Sequence, residues 1–181
     1  MSFLQLCLKG KYEDAIVFVM YFAARLLPVP AASWILGAFM RLLGPMTPWH
    51  KRARRNLIAA MPDLEKTDQD KILTAMWWNI GRVIGEYPHI AALTRKDRVE
   101  FVGRENLRGL TSGGFLIGAH IGNWEIGPYA AITANQPVAA IYRPLNNPLL
   151  AGLLERRKAN YGGDIYRKGR EPDHCLVSAL R

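Results

Sequence analysis

At 181 residues, half of them hydrophobic and 22% charged, the chain is long enough for one domain with a sizeable core and too apolar for a disordered one. A net charge of +9 favours anionic partners: acidic lipid head groups, phosphorylated substrates, an acidic carrier protein or nucleic acid. Cys7 and Cys175 are the only cysteines and sit in no metal or redox spacing, so a reducing compartment is the simpler reading.

The charge is unevenly placed. Residues 1–60 hold eight Lys/Arg and two acids, and so carry +6 of the +9 in the most apolar part of the chain. That combination suits a membrane surface better than nucleic acid. Arg25 is the only charge between Asp14 and Arg41, but the flanking clean runs are 10 and 15 residues long. Neither alone reaches the 18 to 20 or so residues of a bilayer span. Pro28 and Pro30 predict a break, with one helix ending near Leu27 and the next starting near Ala31. The mixed charges Lys9, Lys11, Glu13 and Asp14, without a cleavage site, argue against a removable signal peptide. Trp34, Trp49 and the basic run Lys51, Arg52, Arg54 and Arg55 favour membrane attachment over two helices of a soluble core. Residues 1–48 are therefore expected to be membrane-associating helices.

Residues 49–61 predict a basic helix stopped by Pro62. A longer helix follows from Asp68 to about Tyr87, capped by Thr67, with Ile72, Ala75, Met76, Ile80, Val83 and Ile84 near helical spacing. Trp77 and Trp78 are expected to pack in a core or interface rather than to stack bases. After Thr94 the texture changes. Val99–Val102, Phe115–Ala119, Pro137–Tyr142 and Ile165–Tyr166 are strand candidates, and helical stretches are expected at 105–110, 123–134 and 147–160. The expected fold is α/β: a helical N-terminal part, then over 49–181, with helices 49–92 leading in, a mainly parallel sheet with flanking helices. Because the chain stops at Arg181 in what reads as a helix after a strand, the sheet is expected to be incomplete.

The segment Gly118-Ala119-His120-Ile121-Gly122-Asn123-Trp124-Glu125 is the most informative. It places His120 at the end of an apolar run, where open α/β sheets bind ligands. On an unbroken helix His120 and Glu125 would lie roughly 140° apart around the axis. A loop at Gly122, with Asn123 as N-cap, instead leaves His120 outside the helix and Glu125 in its first turn. A neutral imidazole can take a proton from a hydroxyl while a carboxylate orients it and stabilises the imidazolium. No Gly-x-Ser-x-Gly elbow occurs and neither cysteine lies near His120 in the sequence, so direct attack by a substrate hydroxyl is preferred to an acyl-enzyme. A metal hydrolase would need a third ligand, which the spacing of His50, His89 and His174 does not propose, and no metal is expected.

His-x-Gly-Asn-Trp-Glu, followed by Ile141-Tyr142-Arg143-Pro144-Leu145-Asn146-Asn147-Pro148, resembles the paired motifs of the lipid A biosynthesis acyltransferases, relatives of the wider glycerolipid acyltransferases. The resemblance extends over Arg54–Leu57 to Pro62, Trp77 to Gly81, Gly103 to Leu107 and the Gly162-Gly163 turn. It implies an acyl thioester on acyl carrier protein as donor, with no further cofactor. The implied acceptor is a hydroxyl of a phosphorylated, partly acylated glucosamine disaccharide, and the implied location the cytoplasmic face of the cell inner membrane. His120 is then the general base, Glu125 its orienting partner and Arg143 a cationic clamp on an oxyanion or phosphate. Asn123 contributes to the site or caps the helix, and Arg167 and Lys168 are candidates for acceptor phosphates or the acidic carrier. Other glycolipid acceptors, such as a mannosylated inositol lipid, and a non-catalytic basic membrane-binding module are the competing readings. Nucleic acid is not an expected partner.

Overall fold

The computed structural model describes residues 19–94, 98–103, 105–108, 115–129, 132, 138–142 and 165–167. The chain forms two compact units, one comprising Tyr21–Ile90 with His120–Glu125, the other the remaining segments.

The first unit is helical, and proline sets most of its boundaries. Residues 19–26 form α1, which stops at Leu27 because a residue preceding proline avoids helical backbone. Pro28 is extended, and α2 (Val29–Leu43) begins beside it with Pro30 in its first turn, where a missing N–H costs nothing. After a 3-10 turn at Gly44–Met46, α3 (Pro48–Ala60) again starts on a proline. Helix α4 (Lys66–Glu86) follows, then a 3-10 turn at Tyr87–His89 and the short α5 (Ile90–Leu93). The expected Thr67 cap is not used: Glu65 holds the cap position without a side-chain bond, and Thr67 lies inside the first turn.

The core lies between α2 and α4. On α4 the buried positions Leu73, Trp77, Gly81 and Gly85 recur every four residues, with Val83 beside them. They face Ala32, Ser33 and Gly37 of α2. The face expected from apolar spacing is therefore rotated, since Ile72 and Ile84 are exposed. The reason is steric. A Cβ on Gly81 would stand 2.1 Å from the Leu36 carbonyl oxygen and one on Gly85 2.4 Å from that of Ala32, so two backbones meet where larger side chains cannot fit. Trp77 is 5% exposed, seated on Gly44, and its Nε1 donates to His50 Nδ1 at 3.1 Å, which ties α3 to α4. His89 Nε2 donates to the Ala24 carbonyl at 2.9 Å and secures α1.

Several large apolar side chains of this helical unit are exposed beside its basic residues. Leu26, Trp34, Leu42, Met46 and Trp49 are exposed, and Arg52 lies over the Trp49 ring at 5.4 Å. Continuing through Arg41, Val29–Met46 is long and apolar enough to cross a membrane by length and composition. That exceeds the separate runs read from the sequence, because one arginine near a helix end does not interrupt the helix.

In the second unit, β1 (Ala140–Tyr142) pairs in parallel with β2 (Ile165–Arg167), Tyr142 opposite Arg167. Helix α6 (Glu105–Arg108) lies within the helix expected at 105–110, whose last two residues are outside the described ones. Two strand expectations are corrected. Residues 98–102 and 115–119 have irregular backbone, and Phe115 and Ile117 are exposed. An apolar run becomes a strand only when a neighbour satisfies its N–H and C=O groups, and no partner strand flanks either segment among the described residues. The helix expected at 147–160 lies outside the described residues.

Candidate active site

The loop His120–Glu125 belongs to the helical unit. Gly122 makes the bend with φ +55°, a left-handed conformation that L side chains rarely adopt. Its carbonyl accepts a hydrogen bond from Asn79 Nδ2 at 3.1 Å, which fastens the bend to α4. Asn123 then caps the following turn: its Oδ1 accepts the Glu125 backbone N–H at 3.2 Å, the bond an N-cap residue makes to the second helical position. That turn is a short 3-10 segment, Trp124–Ile126, rather than the start of a continuous helix over 123–134.

Beyond the bend, His120 is exposed and its ring packs on Trp124 with centroids 5.0 Å apart and planes at 56°. Glu125 is 7% exposed, and its Oε1 accepts the Trp124 indole N–H at 3.1 Å. The indole therefore touches both groups, the imidazole through its ring and the carboxylate through its N–H. A carboxylate this buried is costly unless its oxygens are bonded, and a charge held in a low-dielectric setting acts strongly on its neighbours. An accessible imidazole and a buried carboxylate that contact the same indole are groups suited to proton transfer to or from a molecule arriving at the surface.

Asn123 has a second bond, to a residue the sequence did not single out. Its Nδ2 donates to Glu86 Oε2 at 2.7 Å, while Glu86 Oε1 accepts from Ser33 Oγ at 2.7 Å. Arg82 Nε donates to Ser33 Oγ at 3.0 Å, and Arg82 Nη2 lies 3.7 Å from Glu86 Oε1. One signal was available. An acid in the last turn of a long helix opposes the helix dipole, and so needs a partner to hold it there.

His120, Asn123 and Glu125 thus share one loop, in which Trp124 contacts both the imidazole and the carboxylate and Asn123 caps the turn. Arg143 and Lys168 lie outside the described residues. Arg167 ends β2, and its side chain is likewise outside them. Among the described residues, no group of three His, Cys, Asp or Glu side chains is placed to hold a metal ion.

The family model described as bacterial lipid A biosynthesis acyltransferase covers residues 2–181. Neither the curated proteins nor the solved structures contain a match.

Proposed function

The chain belongs to the bacterial lipid A biosynthesis acyltransferases, and from that premise we propose that His120 and Glu125 transfer a fatty acyl group from an acyl carrier protein thioester to a hydroxyl of a lipid A precursor. The observation that carries this reading is the Gly122 bend, which leaves His120 accessible and Glu125 buried with Trp124 against both.

The step begins when His120 takes the proton of the acceptor hydroxyl as its oxygen attacks the thioester carbonyl. The new C–O bond forms, the C–S bond breaks, and the proton returns from the imidazolium to the departing thiolate. The products are an ester and a free carrier thiol, with no covalent enzyme intermediate. Glu125 stabilises the imidazolium, as a buried acid does for the histidine of a serine triad.

Arg143 follows β1 directly in the chain and Lys168 follows β2. Ligands of parallel sheets bind beyond the carboxyl ends of the strands. We assign Arg143 to the developing oxyanion or an acceptor phosphate, and Arg167 and Lys168 to acceptor phosphates or the acidic carrier. In this reading the two parallel strands are part of the α/β layer of the transferase. The exposed Trp34, Leu42, Met46 and Trp49, with the basic α3, rest on the cytoplasmic face of the inner membrane, where the lipid acceptor resides.

The test is an assay of the purified chain with acyl carrier thioesters and a panel of glycolipid acceptors, followed by mass spectrometry. The expected product is a lipid A precursor heavier by one acyl chain, with release of one carrier thiol. No transfer to any acceptor, or transfer only to an acceptor of another class, would overturn the assignment.

A further inference from the structure

Glu86 sits at the end of α4, 37 positions before Asn123 in the chain, yet its carboxylate is the fixed point of the catalytic loop. Both of its oxygens are engaged, one by the Ser33 hydroxyl and the other by the Asn123 amide, each at 2.7 Å. Its side chain is 14% exposed, so these bonds are shielded from competing water. Asn123 in turn uses its amide oxygen on the Glu125 N–H. A continuous chain of bonds therefore runs from α2 through Ser33, Glu86 and Asn123 to the backbone of Glu125.

From this chain we infer that Glu86 is a positioning residue for acyl transfer: it holds Asn123, and through Asn123 it fixes the turn that carries Trp124 and Glu125. The inference rests on the roles proposed above for His120 and Glu125. The asparagine needs such an anchor. Its amide can rotate, and only with Nδ2 on a fixed acceptor does Oδ1 face the Glu125 N–H. An anionic acceptor makes the anchor strong, since hydrogen bonds to an ionised partner are roughly twice as strong as neutral ones. Asn79, bonded to the Gly122 carbonyl from the same helix, gives the loop a second point of attachment, so removing the Glu86 contact loosens the turn without releasing the loop.

The experiment is a double-mutant cycle on the full chain, with kcat and KM measured for acyl carrier thioester and lipid A precursor, and far-UV circular dichroism run beside it. Glu86→Ala is expected to lower kcat about 10- to 100-fold, the usual effect of removing a group that orients a reacting one, while both KM values stay within about threefold. Asn123→Ala gives a similar loss, and the double variant loses no more than either single one, because both act along one route. Glu86→Gln recovers most of the rate, since its amide oxygen still accepts from Asn123 while its nitrogen turns to Ser33.

Wild-type kcat in Glu86→Ala, or losses that multiply in the double variant, would overturn the role. If Glu86→Ala does not fold, Asn123→Ala decides: it removes only a half-buried loop side chain, and a wild-type kcat there overturns the role equally. His120→Ala, assayed in parallel, keeps the two claims apart. A His120 variant at the wild-type rate refutes the proposed base, whereas an inactive His120 variant beside a fully active Glu86→Ala enzyme refutes the positioning role alone.

Discussion

Replacing Gly81 by alanine tests the helix pair on which the loop is built. The added methyl would stand 2.1 Å from the Leu36 carbonyl oxygen, 2.7 Å from its carbon and 2.8 Å from Gly37 Cα. Carbon and oxygen ordinarily approach to about 3.3 Å, so α2 and α4 must separate by roughly 1 Å. Because the obstacles are backbone atoms, no side chain can swing aside. The cost belongs at the upper end of the overpacking range, about 3 kcal/mol. Alanine returns about 1 kcal/mol through its better helix propensity, leaving a net loss of about 2 kcal/mol. For a chain of this length that corresponds to a fall of about 4 to 8 °C in the melting midpoint. The assay is far-UV circular dichroism of purified protein in mild detergent. A midpoint unchanged or raised, the result of adding a methyl to an exposed helix glycine, would refute the close approach of the two helices. Gly85→Ala should destabilise similarly and also slow acyl transfer, because it pushes α2 away at Ala32 and Ser33, beside Glu86.

Three further outcomes follow from the same geometry. Gly122→Ala places a side chain at φ +55° and should cost about 1 to 2 kcal/mol although nothing crowds it, whereas Gly118→Ala, with equally open surroundings and no positive φ, should melt like the wild type; equal midpoints for the two would contradict the bend. Arg54, hydrogen-bonded to Asp70 and, with Lys66, supplying positive charge near it, holds that carboxyl below its ordinary value. A lowered acid pKa contributes stability that is present above the unfolded value, about 3.9, and fades as pH falls through the folded one. Asp70→Asn should therefore melt slightly below the wild type at neutral pH, with the gap closing below about pH 4; a gap that widens on acidification would contradict the pairing. In cell fractionation the protein should sediment with membranes and resist a high-salt wash, because apolar as well as basic side chains face outward. Recovery in the supernatant at low salt without detergent would refute the attachment.

The sequence was most legible where local chemistry dominates. Pro28, Pro30 and Pro62 mark helix limits within a residue or two of those observed, because proline acts on its own and its neighbour's backbone whatever surrounds it. The Gly122 bend and the Asn123 cap were equally readable, since a positive φ and an orphan N–H are local needs. The buried face of α4 was misread because apolar spacing weights large side chains, while this interface is selected for small ones: Gly81 and Gly85 carry no hydrophobic signal. Phe115–Ala119 misled for a related reason, as hydrophobicity does not specify the hydrogen-bonding partner that a strand requires. Glu86 offered only its unfavourable place at the end of a long helix, because the partners that give it a role, Ser33 and Asn123, are 53 and 37 positions away.

The central claim concerns the accessible imidazole and the buried carboxylate that both contact Trp124. Its most direct measurement is the rate of acyl transfer by His120→Ala and Glu125→Ala in the full chain, with circular dichroism confirming that each retains its helices. A general base with its partner contributes about 10²- to 10⁴-fold, so each variant should lose most of its turnover while remaining folded. Near-normal turnover in either folded variant would contradict the account.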